Sequence, residues 1–205
     1  GTFAYLGDVL ALASFYPVIA VYDEQGWDVE IPPPWGDILH ADSSFYRVRV
    51  TAPKDLVVAA SGVELQRQQP DPGQQTLTFA AGPARDFYLV ASSRYQVASQ
   101  QVGEVMIHSY SFPEAAGAAQ QVLRYAAAAL RSFEDRFGPY PYSELDLVAT
   151  ATSALGVEYP GIMAIAQRIY DDQNRVLLES TTAHEVAHQW FYNVVGNDQL
   201  DEPWL

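Results

Sequence analysis

The 205-residue chain is 49% hydrophobic and 13% aromatic, a composition that supports one large packed core or two small ones rather than disorder. Its formal net charge of −14 repels phosphate backbones, which argues against nucleic acid as a partner. The charge either simply keeps the protein soluble or attracts a cationic ligand such as a free peptide N-terminus. Because the chain has no cysteine, histidine and carboxylate side chains would have to hold any metal, and its longest apolar stretch, residues 10–22, is too short to be a transmembrane segment.

The first half of the chain, residues 1–103, is predicted to be rich in β-structure. Residues 45–50 alternate apolar and polar side chains, which is the pattern of a half-buried strand. The other strand candidates are short runs at 56–60, 63–69, 75–80 and 87–91. Short strands separated by frequent turns favour a sandwich or an open curved sheet.

The second half, residues 104–205, mixes strands and helices. After a predicted strand at 105–110, Ser111 and Glu114 fit a capping box, and apolar residues then recur at helical spacing until Gly138. The remaining predicted elements are strands at 145–149 and 162–165 and a second helix at about 175–195, ended by Gly196. The sequence therefore predicts an α+β fold with a domain boundary near residue 104.

The second predicted helix contains the motif HExxH, formed by His184, Glu185 and His188. Side chains four residues apart lie on one helix face with Cβ atoms about 5–6 Å apart, so both imidazoles can converge on one Zn²⁺. Glu185 is turned to the side of that site, where it can act as general base toward water that the metal activates. The motif predicts hydrolysis of an amide. The alternative, two ordinary helix histidines, is weakened because the chain has only four histidines.

A catalytic zinc needs three protein ligands, so the motif alone is incomplete. A metzincin would have Gly at 191 and His at 194, and the presence of Phe191 and Val194 excludes that class. The acids that follow the motif within the chain are Asp198, Asp201 and Glu202, which we interpret as ordinary loop or helix-start residues.

The segment HEVAHQWF at 184–191 resembles the HExxHQWF segment of the M1 aminopeptidases, and Asn193 fits the Asn that follows it. Trp204 and Leu205 match the start of that family's WLNEG segment, whose Glu is the third zinc ligand. The resemblance implies a gluzincin site in which His184 and His188 bind Zn²⁺ and Glu185 is the general base. The third ligand would then stand at position 207, beyond Leu205.

The resemblance also has implications for the fold. It identifies the chain as a fragment truncated at both ends. Residues 1–103 would be part of a β-sandwich N-terminal domain, and residues 104–205 the first part of a thermolysin-like zincin catalytic domain.

A second segment, LGVEY at 155–159, is similar to the exopeptidase motif GxMEN of the same family. The resemblance implies that Gly156 and Glu158 bind substrate, with the Glu158 carboxylate holding the free α-amino group. Leu155, Val157 and Tyr159 depart from the motif, and these departures bear on the side-chain pocket more than on amine binding. Without the resemblance, Glu158 would be a turn residue before Tyr-Pro.

The resemblance implies a zinc aminopeptidase that releases N-terminal residues from peptides. An M1-like hydrolase of a non-peptide substrate, such as an epoxide, and a non-catalytic M1-like scaffold that binds partners remain as alternatives. Residues 1–205 are expected to be inactive alone, because the third ligand and the family's transition-state Tyr would lie beyond them. Apolar surface exposed on such a fragment would also favour self-association.

Overall fold

The computed structural model describes residues 2–29, 31, 40–199 and 201, which form an α+β fold as the sequence predicts. The helices are α1 (Ala116–Phe137) and α2 (Arg175–Ala187). The strands are β1 (Thr2–Leu6), β2 (Val9–Ala13), β3 (Tyr22–Asp23), β4 (Gly26–Trp27), β5 (Ser44–Pro53), β6 (Val57–Ala60), β7 (Val63–Gln68), β8 (Gln74–Ala84), β9 (Leu89–Ser92), β10 (Gln96–Val102), β11 (Val105–Ser111), β12 (Glu144–Thr150), β13 (Gly156–Tyr159) and β14 (Ile162–Ala166). In the part of the chain described, neither helix is long and apolar enough to cross a membrane.

The N-terminal half is a β-sandwich of two antiparallel sheets. One sheet has the strand order β1-β2-β9-β6 and the other β5-β8-β7. Alternate side chains of the two sheets meet between them, among them Val58, Leu77 and Leu89, and the buried ring of Phe87 packs beside them. Strands β3 and β4 form a separate small hairpin.

The C-terminal half is built on a mixed five-stranded sheet with the order β10-β11-β12-β14-β13. The three central strands run parallel, and each edge strand is antiparallel to its neighbour. One face packs against α1 and α2 through residues such as Leu147 and Ile165. The other face packs against the sandwich, where Val148 of the five-stranded sheet and Val90 of β9 lie in one buried cluster. The fold therefore has four layers, which are the two sheets of the sandwich, the five-stranded sheet and the helices.

Helix α1 ends as predicted but begins differently. Gly138, with φ of 97°, follows its last residue, and glycine adopts this left-handed backbone at no steric cost. The predicted capping box is wrong, because Ser111 is the buried last residue of β11 and no side chain caps the helix start. Glu114 instead accepts hydrogen bonds from Arg94, at 2.8 and 3.0 Å.

Helix α2 ends at Ala187, so the predicted end near residue 195 is wrong. His188 is the C-cap residue, and the next turn tightens as the N–H of Gln189 bonds to the carbonyl of Val186. Tyr192 then has φ of 89°, which no right-handed helix contains. The residues after the motif continue the sequence pattern of a helix, but their contacts with the rest of the fold end the helix earlier.

The predicted domain boundary near residue 104 falls in the turn between β10 and β11. These two strands pair along their whole length, so the change from sandwich to five-stranded sheet comes at residues 93–95. The division into domains at 1–103 and 104–205 remains a prediction.

Candidate active site

The two histidines of the motif converge at the end of α2. His184 lies in the last turn of the helix and His188 directly follows it. Their Nε2 atoms are 3.1 Å apart, and the two rings lie nearly perpendicular at 86°. The i, i+4 spacing therefore produces the meeting of imidazole nitrogens that the sequence predicts.

The surroundings of the two rings suit metal binding. The Nδ1 atom of His188 lies 3.3 Å from the carbonyl oxygen of Phe191, to which it can donate, and this leaves the Nε2 lone pair directed at His184. Burial, together with the neighbouring His188, lowers the pKa of His184. A neutral imidazole is the ligand form.

The residues present fit a zinc ion. Two nitrogens bound at about 2.0–2.1 Å to one tetrahedral ion lie about 3.4 Å apart, which is close to the 3.1 Å found here. Ligand atoms of Glu158, Glu185 and His188 also lie within 4.8 Å of one another, so two carboxylates lie beside one of the two imidazoles. Trp204 and Leu205, which carry the expectation of a third ligand at position 207, lie outside the described residues.

Glu185 is buried beside the imidazole pair, with 3% of its surface exposed. Strand β13 packs against α2, and at Gly156 its backbone passes directly over this side chain. A Cβ atom at Gly156 would lie 2.1 Å from Oε1 of Glu185 and 2.3 Å from its Cδ. The Glu185 carboxylate can therefore occupy this position only because residue 156 has no side chain.

Glu158 lies on the same strand and reaches the same site. Its Oε1 atom is 3.7 Å from Nδ1 of His188, and its side chain is 13% exposed. Strand β13 is an edge strand of the sheet and contacts α2, so its residues lie beside the helix that carries the imidazole pair. The structure thus brings together His184, Glu185, His188, Gly156 and Glu158, all of which the sequence singles out.

Comparison with known proteins decides the family. Residues 122–205, which include β12, β13, β14 and α2, match the Peptidase family M1 domain. The chain belongs to peptidase family M1. The predicted membership of the M1 family is therefore confirmed.

M1 relatives extend the match into the N-terminal half. The chain is similar to aminopeptidase 2 of Candida albicans, 29% identical over 178 residues, which is 80% of this chain and 19% of that protein. The alanine/arginine aminopeptidase of Saccharomyces cerevisiae is 30% identical over 159 residues, 71% of this chain and 18% of that protein. Human aminopeptidase O is 32% identical over 116 residues, 55% of this chain and 14% of that protein. The chain thus spans less than a fifth of the length of each of these relatives.

Sequence reasoning used Gln189 only as part of the M1 resemblance and missed its structural role. Gln189 is 0% exposed and joins the motif to the turn between β13 and β14. Its Oε1 accepts from the N–H of Gly161 at 2.9 Å, and its Nε2 donates to the carbonyl of Tyr159 at 3.2 Å. These bonds fix the strand that carries Glu158 relative to the helix that carries the histidines.

Trp190 anchors the motif on the other side. Its ring packs against Phe133 of α1 and against Tyr140, and its Nε1 donates to the carbonyl of Gly138 at 3.1 Å. The large aromatic side chain of Trp190 was the available signal of burial here, whereas no such signal marks the polar Gln189 in the sequence.

The acids that follow the motif are not gathered at the imidazole pair in the described residues. Asp198 lies 3.1 Å from Nδ1 of His40, in a different cluster that includes Asp28. Asp201 lies in an exposed turn, and Glu202 lies outside the described residues.

Proposed function

We propose that this chain is the core of a zinc-dependent aminopeptidase that releases N-terminal residues from peptides. The observation that carries the proposal is the meeting of four side chains at one end of α2. The Nε2 atoms of His184 and His188 are 3.1 Å apart, Glu158 is 3.7 Å from His188, and Glu185 is buried next to them. Membership of the M1 family and the names of the relatives support the same activity.

His184 and His188 would hold the zinc, together with the third ligand expected at position 207. Zinc in such a site lowers the pKa of water and polarises a carbonyl group. Glu185 is the general base: its carboxylate takes the proton of the attacking water and later delivers it to the leaving amine. Its burial and the backbone of Gly156 hold the carboxylate in one place, as a base in this role requires.

Glu158 would bind the ammonium group of the substrate. A carboxylate that is mostly buried makes a stronger ion pair than an exposed one, because water screens it less. A fixed anion beside the reacting centre admits a peptide whose N-terminus is free and positions its first peptide bond. The net charge of −14 also favours the approach of a cationic substrate.

The test uses the full-length protein that contains this chain and alanine p-nitroanilide as substrate. Glu185→Gln should lower kcat by on the order of 10²–10⁴-fold without changing the zinc content. Glu158→Gln should raise KM at least tenfold while the N-acetylated substrate remains uncleaved by both proteins. Glu179→Gln, an exposed glutamate of the same helix, is the matched control and should change neither constant. Residues 1–205 alone should be inactive.

Each rival function predicts a result that an aminopeptidase does not give. A hydrolase of non-peptide substrates would leave the anilide uncleaved, and a non-catalytic scaffold would keep its function in the Glu185→Gln protein. An endopeptidase would cleave the acetylated substrate and would be insensitive to Glu158→Gln.

A further inference from the structure

A second cluster of metal-binding side chains lies on the other face of the five-stranded sheet. It consists of His108 on β11 and of Glu144 and Asp146 on β12. Each offers one ligand atom, and these atoms lie within 4.8 Å of one another. His108 and Asp146 are register partners on neighbouring parallel strands, and Glu144, two residues before Asp146, points to the same face. This face turns toward the sandwich, away from α2 and its histidines.

The decisive feature of the cluster is a buried carboxylate oxygen. Asp146 is 4% exposed, and its Oδ1 atom is buried without a hydrogen-bond partner among the described residues. The hydroxyl of Tyr110 interacts with the same carboxylate, and Glu144 lies beside it. Burial raises the pKa of Asp146 well above its usual range, and the charge of Glu144 adds to that effect. A carboxylate in such a place is costly unless a cation or a proton neutralises it.

The basic side chain on the adjoining strand does not supply that cation. Arg67 on β7 donates to both oxygens of Glu64, at 2.8 and 2.6 Å. Burial raises the pKa of Glu144, and the negative charge of Glu64 adds to that effect. The cluster therefore combines two adjacent carboxylates with a third nearby.

His108 is prepared as a nitrogen ligand. Its Nδ1 atom lies 2.7 Å from the hydroxyl oxygen of Ser99 on β10, so Nε2 is the nitrogen left for a cation. Burial lowers the pKa of His108, which favours the neutral ring. A neutral imidazole beside two carboxylates is a donor set for a first-row transition metal, whereas Mg²⁺ and Ca²⁺ prefer oxygen ligands alone.

The cluster also has a route to solvent. Glu144 is partly exposed and lines a cavity of about 220 Å³ together with Gly62, Pro141 and Gly161. Because His108 is partly exposed as well, water can reach two of the three side chains and complete the coordination of an ion there.

We propose that His108, Glu144 and Asp146 form a second cation site, distinct from the HExxH pair, that binds a divalent transition-metal ion such as Mn²⁺ or Zn²⁺. The ion would link β11 to β12 where the five-stranded sheet meets the sandwich. Its role would be structural, because the cluster lies on the opposite face of the sheet from Glu185.

The test removes the first site and measures binding at the second. The protein carrying His184→Ala and His188→Ala is titrated with Mn²⁺, and bound ion is measured by electron paramagnetic resonance. We expect one Mn²⁺ per chain and a higher Tm in its presence. Adding His108→Ala or Asp146→Asn should weaken binding on the order of 100-fold or more. Glu179→Gln, on the opposite side of the sheet, and His40→Ala are controls that should leave binding within about twofold.

Three results would overturn the proposal. The first is no Mn²⁺ binding in the protein without His184 and His188. The second is binding that survives both His108→Ala and Asp146→Asn, and the third is an equal loss of binding in Glu179→Gln. Far-ultraviolet circular dichroism shows whether each variant is folded. Should Asp146→Asn fail to fold, His108→Ala tests the site alone, because His108 is only partly buried.

Discussion

Replacing Gln189 by Leu tests whether this side chain ties the HExxH segment to the strand that carries Glu158. Leu has a similar volume but neither hydrogen-bonding group, so the N–H of Gly161 loses its partner and the carbonyl of Tyr159 loses one bond. A buried donor left unsatisfied costs about 1–3 kcal/mol and a lost net hydrogen bond about 0.5–1.5 kcal/mol. Together we expect a loss of about 2–4 kcal/mol in the free energy of unfolding. For a chain of this size that lowers Tm by roughly 4–16 °C.

The assay is thermal unfolding followed by circular dichroism in the presence of EDTA, so that metal binding does not contribute. Gln75→Leu is the matched control, because Gln75 is also a buried glutamine whose Nε2 donates to two backbone carbonyls, those of Pro53 and Leu56. Both variants should lose stability, but only Gln189→Leu should raise KM for alanine p-nitroanilide in the full-length protein. A Tm within 2 °C of wild type for Gln189→Leu, or an equal KM effect of Gln75→Leu, would refute the reasoning.

Three further predictions concern glycines and exposed surface. Gly62→Ala should lower the free energy of unfolding, measured by chemical denaturation, by more than about 3 kcal/mol. The reason is that φ at Gly62 is +83° and the new Cβ would lie 2.0 Å from the carbonyl oxygen of Ala80. The control is Gly117→Ala, whose Cβ would meet nothing within 4 Å and which should be neutral or slightly stabilising. Gly156→Val should displace the end of the Glu185 side chain, leave the zinc content unchanged and lower kcat about 100-fold in the full-length protein. An unchanged kcat would show that the Glu185 carboxylate does not depend on the missing side chain at residue 156. Residues 1–205 should self-associate at micromolar concentration, because large apolar side chains such as Phe45, which is 83% exposed, lie on the surface. Light scattering measures this, and a monomer at all concentrations would contradict the prediction.

The local part of the active site could be predicted from the sequence. The convergence of His184 and His188 follows from helix geometry alone, and Gly138 marks the end of α1 in both sequence and structure. The alternation at 45–50 likewise gives β5, because one face of that strand contacts the sandwich core. These features depend on residues close together in the chain.

Features that depend on distant residues were missed or misplaced. Strand β13 has four residues and no alternation in burial, so only its pairing with β14 defines it. The end of α2 is set by the bonds of Gln189 to residues 159–161, about 30 positions earlier in the chain. The cluster of His108 with Glu144 and Asp146 exists because β11 and β12 are neighbours, which their sequences do not show.

One miss had a local signal that was not used. Strands β1 and β2 form a hairpin in which Leu6 pairs with Val9 across a two-residue turn. Both turn residues, Gly7 and Asp8, have positive φ, at 58° and 64°. A small flexible residue and an acid between two apolar runs are typical of such a turn.

The central claim is that His184 and His188 hold a zinc ion beside Glu185. Crystals of the full-length protein, grown with zinc and measured on both sides of the zinc absorption edge, test it directly through an anomalous difference map. The account predicts a peak within about 2.0–2.2 Å of the Nε2 atoms of both histidines, with a third protein ligand from the residue at position 207. A map with no peak between these two rings, even if zinc is found elsewhere in the molecule, would contradict it.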